Sequence, residues 1–168
     1  MAEEKTATQP PTITIYTDGS SRGNPGPGGY GIVLISGPHY KEASCGYRRT
    51  TNNRMELLGV IKALEMLKIP NSNVTIYTDS KYISNAVNKK WLDNWIEMGL
   101  SYIKNPDLWS RYIKIAKQHC VKIIWVKGHA DNPYNNRCDK LAVAAATGDN
   151  LLIDAYFENT ENGGKLPL

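Results

Sequence analysis

Two apolar, β-branched stretches of this chain finish in the same tripeptide. Ile13-Thr14-Ile15-Tyr16-Thr17-Asp18 is followed by Gly19, and Ile76-Tyr77-Thr78-Asp79 by Ser80. Ile, Thr and Tyr suit a pleated, half-buried strand, whereas Asp, Gly and Ser favour turns and caps. Two strands that each end in Tyr-Thr-Asp can be neighbours in one sheet. Their carboxylates then meet at the same sheet end, where they repel and resist ionisation unless a cation lies between them. A paired-Asp site at a sheet rim therefore points to a metal. Taken singly, each Asp has an ordinary role open to it: Asp18-Gly19 is a turn dipeptide, and Asp79-Ser80 can cap a helix.

The rest of the chain supplies a frame for that pair. Residues 12–18 predict a first strand, 20–29 a Gly/Pro-rich loop, and 30–35 and 40–47 two more strands. Short links between successive strands favour antiparallel neighbours. A helix is predicted over 54–68, where Leu57, Val60, Ile61, Leu64 and Leu67 have helical spacing and Pro70 follows as a stop. The strand 74–78 comes next, then a helix opening at Ser80. An intervening helix is what a parallel pair of strands requires. Residues 91–105 hold Trp91, Trp95 and Tyr102 among mixed charges and give no clear period. A helix over 106–118, a strand over 121–126 and an Ala-rich helix over 136–146 complete the pattern, and the apolar segment 151–157 is expected to pack back on the domain. The expected organisation is a flexible leader (1–11), one domain (12–157) and a flexible tail (158–168).

Composition narrows the class. With 168 residues and 41% hydrophobic content the chain can bury a sizeable core. No apolar run is long enough to span a bilayer, and the start lacks the basic-then-apolar order of a secretion signal. Cys45, Cys120 and Cys138 show no paired metal spacing, which fits a reduced, cytoplasmic setting. A net charge of +4 is compatible with a polyanionic partner without requiring one.

Two further acids are candidates for the Asp pair. Glu56 is followed by Val60, Ala63 and Leu67 at helical offsets, and Asp139 shares a face with Ala142, Val143 and Ala146. Each also stands three residues after an Asn (Asn53, Asn136), so each also fits a helix-capping acid. If all four carboxylates converge, a set without thiolates selects a hard, oxygen-loving cation, magnesium or manganese rather than zinc. Two such ions can clamp the attacking and leaving oxygens of a phosphodiester, with no covalent nucleophile needed. His129, in the loop before the Asp139 helix, is either surface polarity or a proton-handling group near that site.

At this point the motifs resemble a known family. Tyr16-Thr17-Asp18-Gly19-Ser20 with Gly23-Asn24-Pro25-Gly26-Pro27-Gly28-Gly29-Tyr30-Gly31 is similar to the opening of ribonuclease H of the bacterial HI type. So are Thr50-Thr51-Asn52-Asn53-Arg54-Met55-Glu56-Leu57, Thr78-Asp79-Ser80, Trp125-Val126-Lys127-Gly128-His129 and Asn136-Arg137-Cys138-Asp139. The five blocks run in the family's order over about 12–147. The resemblance implies an α/β, ribonuclease H-like fold: a mixed five-stranded sheet in the order 3-2-1-4-5, with helices on both faces. It implies endonucleolytic hydrolysis of the RNA strand of RNA/DNA hybrids by a two-metal-ion mechanism, leaving 5′-phosphate and 3′-hydroxyl ends. Asp18, Glu56, Asp79 and Asp139 would hold two magnesium ions, with manganese as an alternative, and His129 would assist proton transfer or product release. Asn24, Asn52 and Asn53 would meet 2′-hydroxyls in the minor groove. Arg49, Thr51 and Asn105 match a pocket for a DNA-strand phosphate, and Trp91 and Trp95 match the aromatic side of the DNA channel, although core packing is open to both. A cytoplasmic monomer without membrane contact is expected.

Two departures bear on substrate affinity rather than chemistry. The segment before Asp107-Leu108-Trp109 is shorter than the family's Lys-rich protrusion, with Asp93 and Glu97 diluting Lys89, Lys90 and Lys104, and Lys81 stands at a substrate-facing position where Gln is frequent. The alternative reading is a catalytically idle nucleic-acid-binding module of the same fold, which loss of one acid would mark; all four are present. A phosphatase with an Asp nucleophile would need a second Asp where Ser20 stands. DNA-cutting transposases and resolvases lack the asparagine loop.

Overall fold

A computed structural model describes residues 9–100, 103–128 and 131–161. The sheet is laid out from β1 (Thr12–Ser21), which pairs antiparallel with β2 (Gly26–Ser36) and parallel with β4 (Asn73–Thr78). β3 (His39–Thr50) adds antiparallel to β2, and β5 (Cys120–Trp125) parallel to β4. The expected order 3-2-1-4-5 is present, extended by a sixth strand beyond β3: β6 (Leu151–Leu152), parallel to it. Two residues are too few to show an alternating pattern in sequence, so the five-strand expectation falls one short.

The glycine-rich stretch is the larger correction. Residues 20–29, expected as a loop, are mostly strand, because β1 runs on to Ser21 and β2 already begins at Gly26. Gly23, at a φ of +81°, still serves the turn between them, whereas Gly28, Gly29 and Gly31 in β2 serve close packing. A Cβ on Gly31 would lie 2.2 Å from the carbonyl oxygen of Cys138, in helix α5 (Pro133–Ala146). α5 thus rests directly on the sheet, across β1, β2 and β3.

On the opposite face lies α1 (Asn52–Glu65), packed on β1 and β2. Ile13, Ile15, Ile32, Leu57, Val60, Ile61, Leu64 and Ile76 form the core between them. At about 25 cal/mol per Å² of apolar surface removed from water, such side chains each contribute on the order of 1.5–3 kcal/mol. α2 (Lys81–Asn88) and α3 (Trp91–Met98) follow β4, and α4 (Pro106–Ala116) packs against α1. The segment 91–105, aperiodic in sequence, therefore begins as a helix. Trp109 of α4 is fully buried, donates Nε1 to the Tyr82 hydroxyl at 2.7 Å, and takes the edges of Trp95 and Tyr112. Among the described residues no helix is long and apolar enough to cross a membrane.

The C-terminal segment ends in α6 (Ala155–Glu161), which runs through the expected start of the tail at 158. Ion pairs account for this: Glu158 meets Arg48 and Glu161 meets Arg49, both from the end of β3. Beneath them Arg54 is buried in a stricter network. Its Nε and Nη2 donate to Asp154 at 2.7 and 3.0 Å, and its Nη1 and Nη2 donate to Asp107 at 2.9 and 2.7 Å. Thr50 Oγ1 donates to Asp154 as well. Removing one partner of a buried pair leaves an uncompensated charge, which costs about 3–5 kcal/mol. Arg54→Ala should therefore lower unfolding stability by about that amount in urea titration, against under about 1 kcal/mol for an exposed surface change.

Candidate active site

The register of β1 and β4 sets the site. Tyr16 faces Tyr77 across the parallel pair, so two residues further on Asp18 and Asp79 reach the same sheet end. Neither Asp has the ordinary role the sequence left open. The chain does not turn at Asp18-Gly19, since β1 continues, and Gly19 N–H simply donates to Asp18 Oδ1 at 3.0 Å. Helix α2 is capped by Ser80, whose Oγ accepts from Ile83 N–H at 3.2 Å, so Asp79 is not needed there.

The capping alternatives for the other two acids also fall away. The N-cap of α1 is Thr51, not Asn53, which puts Glu56 past the first turn. The N-cap of α5 is Asn132, not Asn136, so Asp139 lies mid-helix. Neither is a helix-start acid as the spacing suggested. Glu56 is instead only 4% exposed. It comes to Asp18 because α1 touches β1 closely: a Cβ on Gly19 would lie 2.4 Å from the Glu56 backbone nitrogen.

One carboxylate oxygen each from Asp18, Glu56 and Asp79 lies within 4.8 Å of the others. Asp139 stands outside that trio but lines the same recess as Asp18 and Asp79, with Thr17, Gly128, Asn135 and Asn136. The crowding shows in the acidities. Burial, then the Asp79 charge, pushes the Asp18 carboxyl up to about 8, and Asp139 adds to the push. Burial, then Asp18 and Asp79, holds Glu56 well above the usual carboxylate range. Among the described residues Glu56 Oε2 is buried with no hydrogen-bond partner. Buried carboxylates are ordinarily paired or bound to metal. An all-oxygen donor set with an unpartnered buried oxygen fits a hard divalent cation.

Other predicted residues fall at varied distances from this centre. Asn24 Oδ1 accepts from the Asn52 N–H at 3.0 Å, which joins the first asparagine to the second. Asn24, Thr51, Asn53 and Asn105 line one pocket. Asn105 is not free within it, since its Oδ1 accepts from Arg54 and its Nδ2 donates to Tyr82. Arg49 is held by Glu161. Trp91 is 42% exposed with Lys89 Nζ 5.7 Å from its ring centre, whereas Trp95 is half-buried against Trp109, the packing role left open for it. His129 lies outside the described residues.

Trp125, from the Trp125-to-His129 block, and Asn135, outside every motif block, also meet the site. Trp125 donates Nε1 to the Asp79 carbonyl at 3.0 Å and seats Lys81 Nζ 5.2 Å from its ring centre. Asn135 lines the acid recess with both side-chain polar atoms buried and unpartnered. It precedes the Asn136-Arg137-Cys138-Asp139 block by one residue, and that adjacency was the only available hint.

Comparison with known proteins agrees with this geometry. The family model described as RNase H matches residues 10–147. A ribonuclease H of Desulforamulus reducens is 54% identical over 147 residues, covering 84% of this chain and 92% of the relative. The crystal structure of LC9-RNase H1, a type 1 RNase H with the type 2 active-site motif, superposes with a TM-score of 0.76 at 30% identity, over 89% of this chain and 80% of that one. LC11-RNase H1 in complex with an RNA/DNA hybrid gives 0.58 at 26% identity, over 80% and 96%. With the acids gathered as the motifs implied and most of its length matched, the chain belongs to the ribonuclease H family.

Proposed function

We infer that the protein is an endoribonuclease that hydrolyses the RNA strand of RNA/DNA hybrids and leaves 5′-phosphate and 3′-hydroxyl ends. The observation that carries this is the trio of carboxylates within 4.8 Å at the sheet end, in a chain of this family. The solved complex of LC11-RNase H1 with a hybrid supports the substrate class. In this reading Asp18, Glu56, Asp79 and Asp139 would hold two magnesium ions. When bound, such ions lower the pKa of an attacking water and stabilise the leaving oxyanion.

The chain's own groups do the rest. Asn24 has its Oδ1 committed to Asn52, which leaves Nδ2 as a donor toward a 2′-hydroxyl, and the exposed Asn53 adds a second polar contact. Lys81, steadied over Trp125 beside Asp79, faces phosphate on the RNA strand. Arg49, Thr51 and Asn105 take a DNA-strand phosphate, and Trp91 borders the DNA channel. His129, on the loop after β5, moves a proton during the reaction or product release. The protein acts as a monomer in the cytoplasm, where its three free cysteines stay reduced.

A gel assay with magnesium tests the reading directly. The hybrid should be cut in its RNA strand alone, while double-stranded RNA and double-stranded DNA stay intact; equal cutting of double-stranded DNA would overturn it. Asp18→Asn should lower turnover by about 10²–10³-fold or more, the scale of losing one electrostatic stabiliser at a reacting centre.

The raised Asp18 acidity also predicts a pH trend for the metal-free protein. Its folded value of about 8 lies above its ordinary 3.8, so the native state keeps a proton that the unfolded chain releases. Stability rises with pH only where the unfolded state binds more protons. Here the sign is reversed: stability is greatest below about 4 for this group and falls as pH rises toward 8. Glu56 shifts in the same direction. Thermal melts in chelator should show a falling Tm across that window, a flatter profile for Asp18→Asn, and a larger gain from magnesium at pH 8 than at pH 5.

A further inference from the structure

Arg48 and Arg49 close β3, and helix α6 answers both. Arg49 donates Nε and Nη2 to the two Glu161 oxygens at 2.7 and 2.8 Å, and Arg48 donates the same atoms to Glu158 at 3.0 to 3.2 Å. The two acids are three residues apart, which sets them on one face of the helix. A guanidinium fork that grips a carboxylate in this way grips phosphate oxygens equally well. Glu161 therefore occupies, on Arg49, the place a nucleic-acid phosphate would take.

The helix bearing Glu161 also walls the adjoining pocket. Tyr156, Phe157 and Thr160 line it together with Asn24, Thr51 and Asn105. α6 is lightly fastened, since none of its seven residues is buried. Besides the two ion pairs it has the Arg54 guanidinium 5.3 Å from the Tyr156 ring centre, its first-turn bond from Glu158 N–H to the Asp154 carbonyl, and a long bond from Phe157 N–H to Asp154 Oδ1 at 3.4 Å. Segments with few buried contacts open at low cost. α6 also lies beyond residues 10–147, the part matched by the family model.

We propose that α6 is a self-blocking latch in which the Glu161 carboxylate holds the Arg49 guanidinium in place of a DNA-strand phosphate, so that the hybrid must displace Glu161 to bind. The latch rests on the proposed phosphate role of Arg49. Release exchanges one anion for another on the same cation, and a Glu161 that stays nearby repels the incoming phosphate. Glu161 thus lowers hybrid affinity.

The test is a double-mutant cycle on the full chain, wild type, Glu161→Gln, Arg49→Ala and the double variant, with thermal melts to confirm folding. The Michaelis constant for a short RNA/DNA hybrid in magnesium is one readout. The dissociation constant of the same hybrid in chelator, by fluorescence anisotropy, is the other. Glu161→Gln should lower both by about two- to five-fold, the range expected on freeing an exposed pair. Arg49→Ala should raise both, and in its background Glu161→Gln should change neither. Unchanged or raised constants for Glu161→Gln alone would overturn the latch and leave α6 a structural element. Equal tightening with and without Arg49 would also overturn it, because the effect would then be long-range charge. If Arg49→Ala leaves both constants unchanged, the phosphate role of Arg49 fails first and the latch with it.

Discussion

Close backbone contact on each face of the sheet holds the acid cluster together. On one face Gly19 lets α1 come within touching distance of β1, and Glu56 arrives beside Asp18. On the other, Gly31, paired with Asp18 in register, lets α5 settle on β2 and brings Asp139 to the same recess. A side chain at either position would meet backbone atoms, which cannot swing aside as a flexible side chain can. The layers would then have to separate, and the acids ride on those layers. The glycines next to and across from Asp18 thus decide whether Glu56 reaches Asp18 and whether Asp139 lines the same recess.

Such convergence carries an electrostatic cost that the core must offset. Asp18 and Glu56 are both pushed toward the neutral form, and the order of causes puts burial ahead of mutual charge. The site is therefore unfavourable chiefly because its carboxylates are out of water. Ile15, Val60, Ile61 and Ile76, all fully buried, belong to the core on which these elements pack and supply compensating burial. Cys138 is pushed up to about 12 by burial and then by Asp18, which keeps the thiol protonated next to the acids. Its Sγ donates to the Tyr16 carbonyl at 3.2 Å, so it serves as a small packing and hydrogen-bonding group.

Much of this was legible in the sequence because the informative signals were local. The repeated Tyr-Thr-Asp marked two strand ends, and the helical period of Leu57, Val60, Ile61 and Leu64 marked a core-facing helix, while the five-strand order and the metal role of the four acids came from the resemblance of five motif blocks to the ribonuclease H family. What escaped depended on contacts between distant segments. The glycines at 26, 28 and 29 read as a loop because turning is glycine's commonest local use, and only the pairing of β2 with β1 and β3 shows that they lie in a strand. Asn53 and Asn136 read as caps from their spacing to an acid, whereas Thr51 and Asn132 took those places. The pair Arg49 and Glu161 is separated by 112 positions, and no periodicity connects residues so far apart.

The three arginines of this region show how burial sorts similar ion pairs into permanent and exchangeable ones. Arg54, 2% exposed, joins the start of α1 to the first turn of α4 and to the turn before α6. Its charge has no access to water, so any exchange of partner would pass through an unpaired buried ion, a state costly enough to be closed to it. Arg48 and Arg49 have side chains 56% and 47% exposed. Water and salt screen them, and their carboxylates can leave at small cost. The same residue type therefore does opposite work a few positions apart. Arg54 fixes the scaffold at the start of α1, whereas Arg48 and Arg49, exposed at the end of β3, keep partners that can exchange.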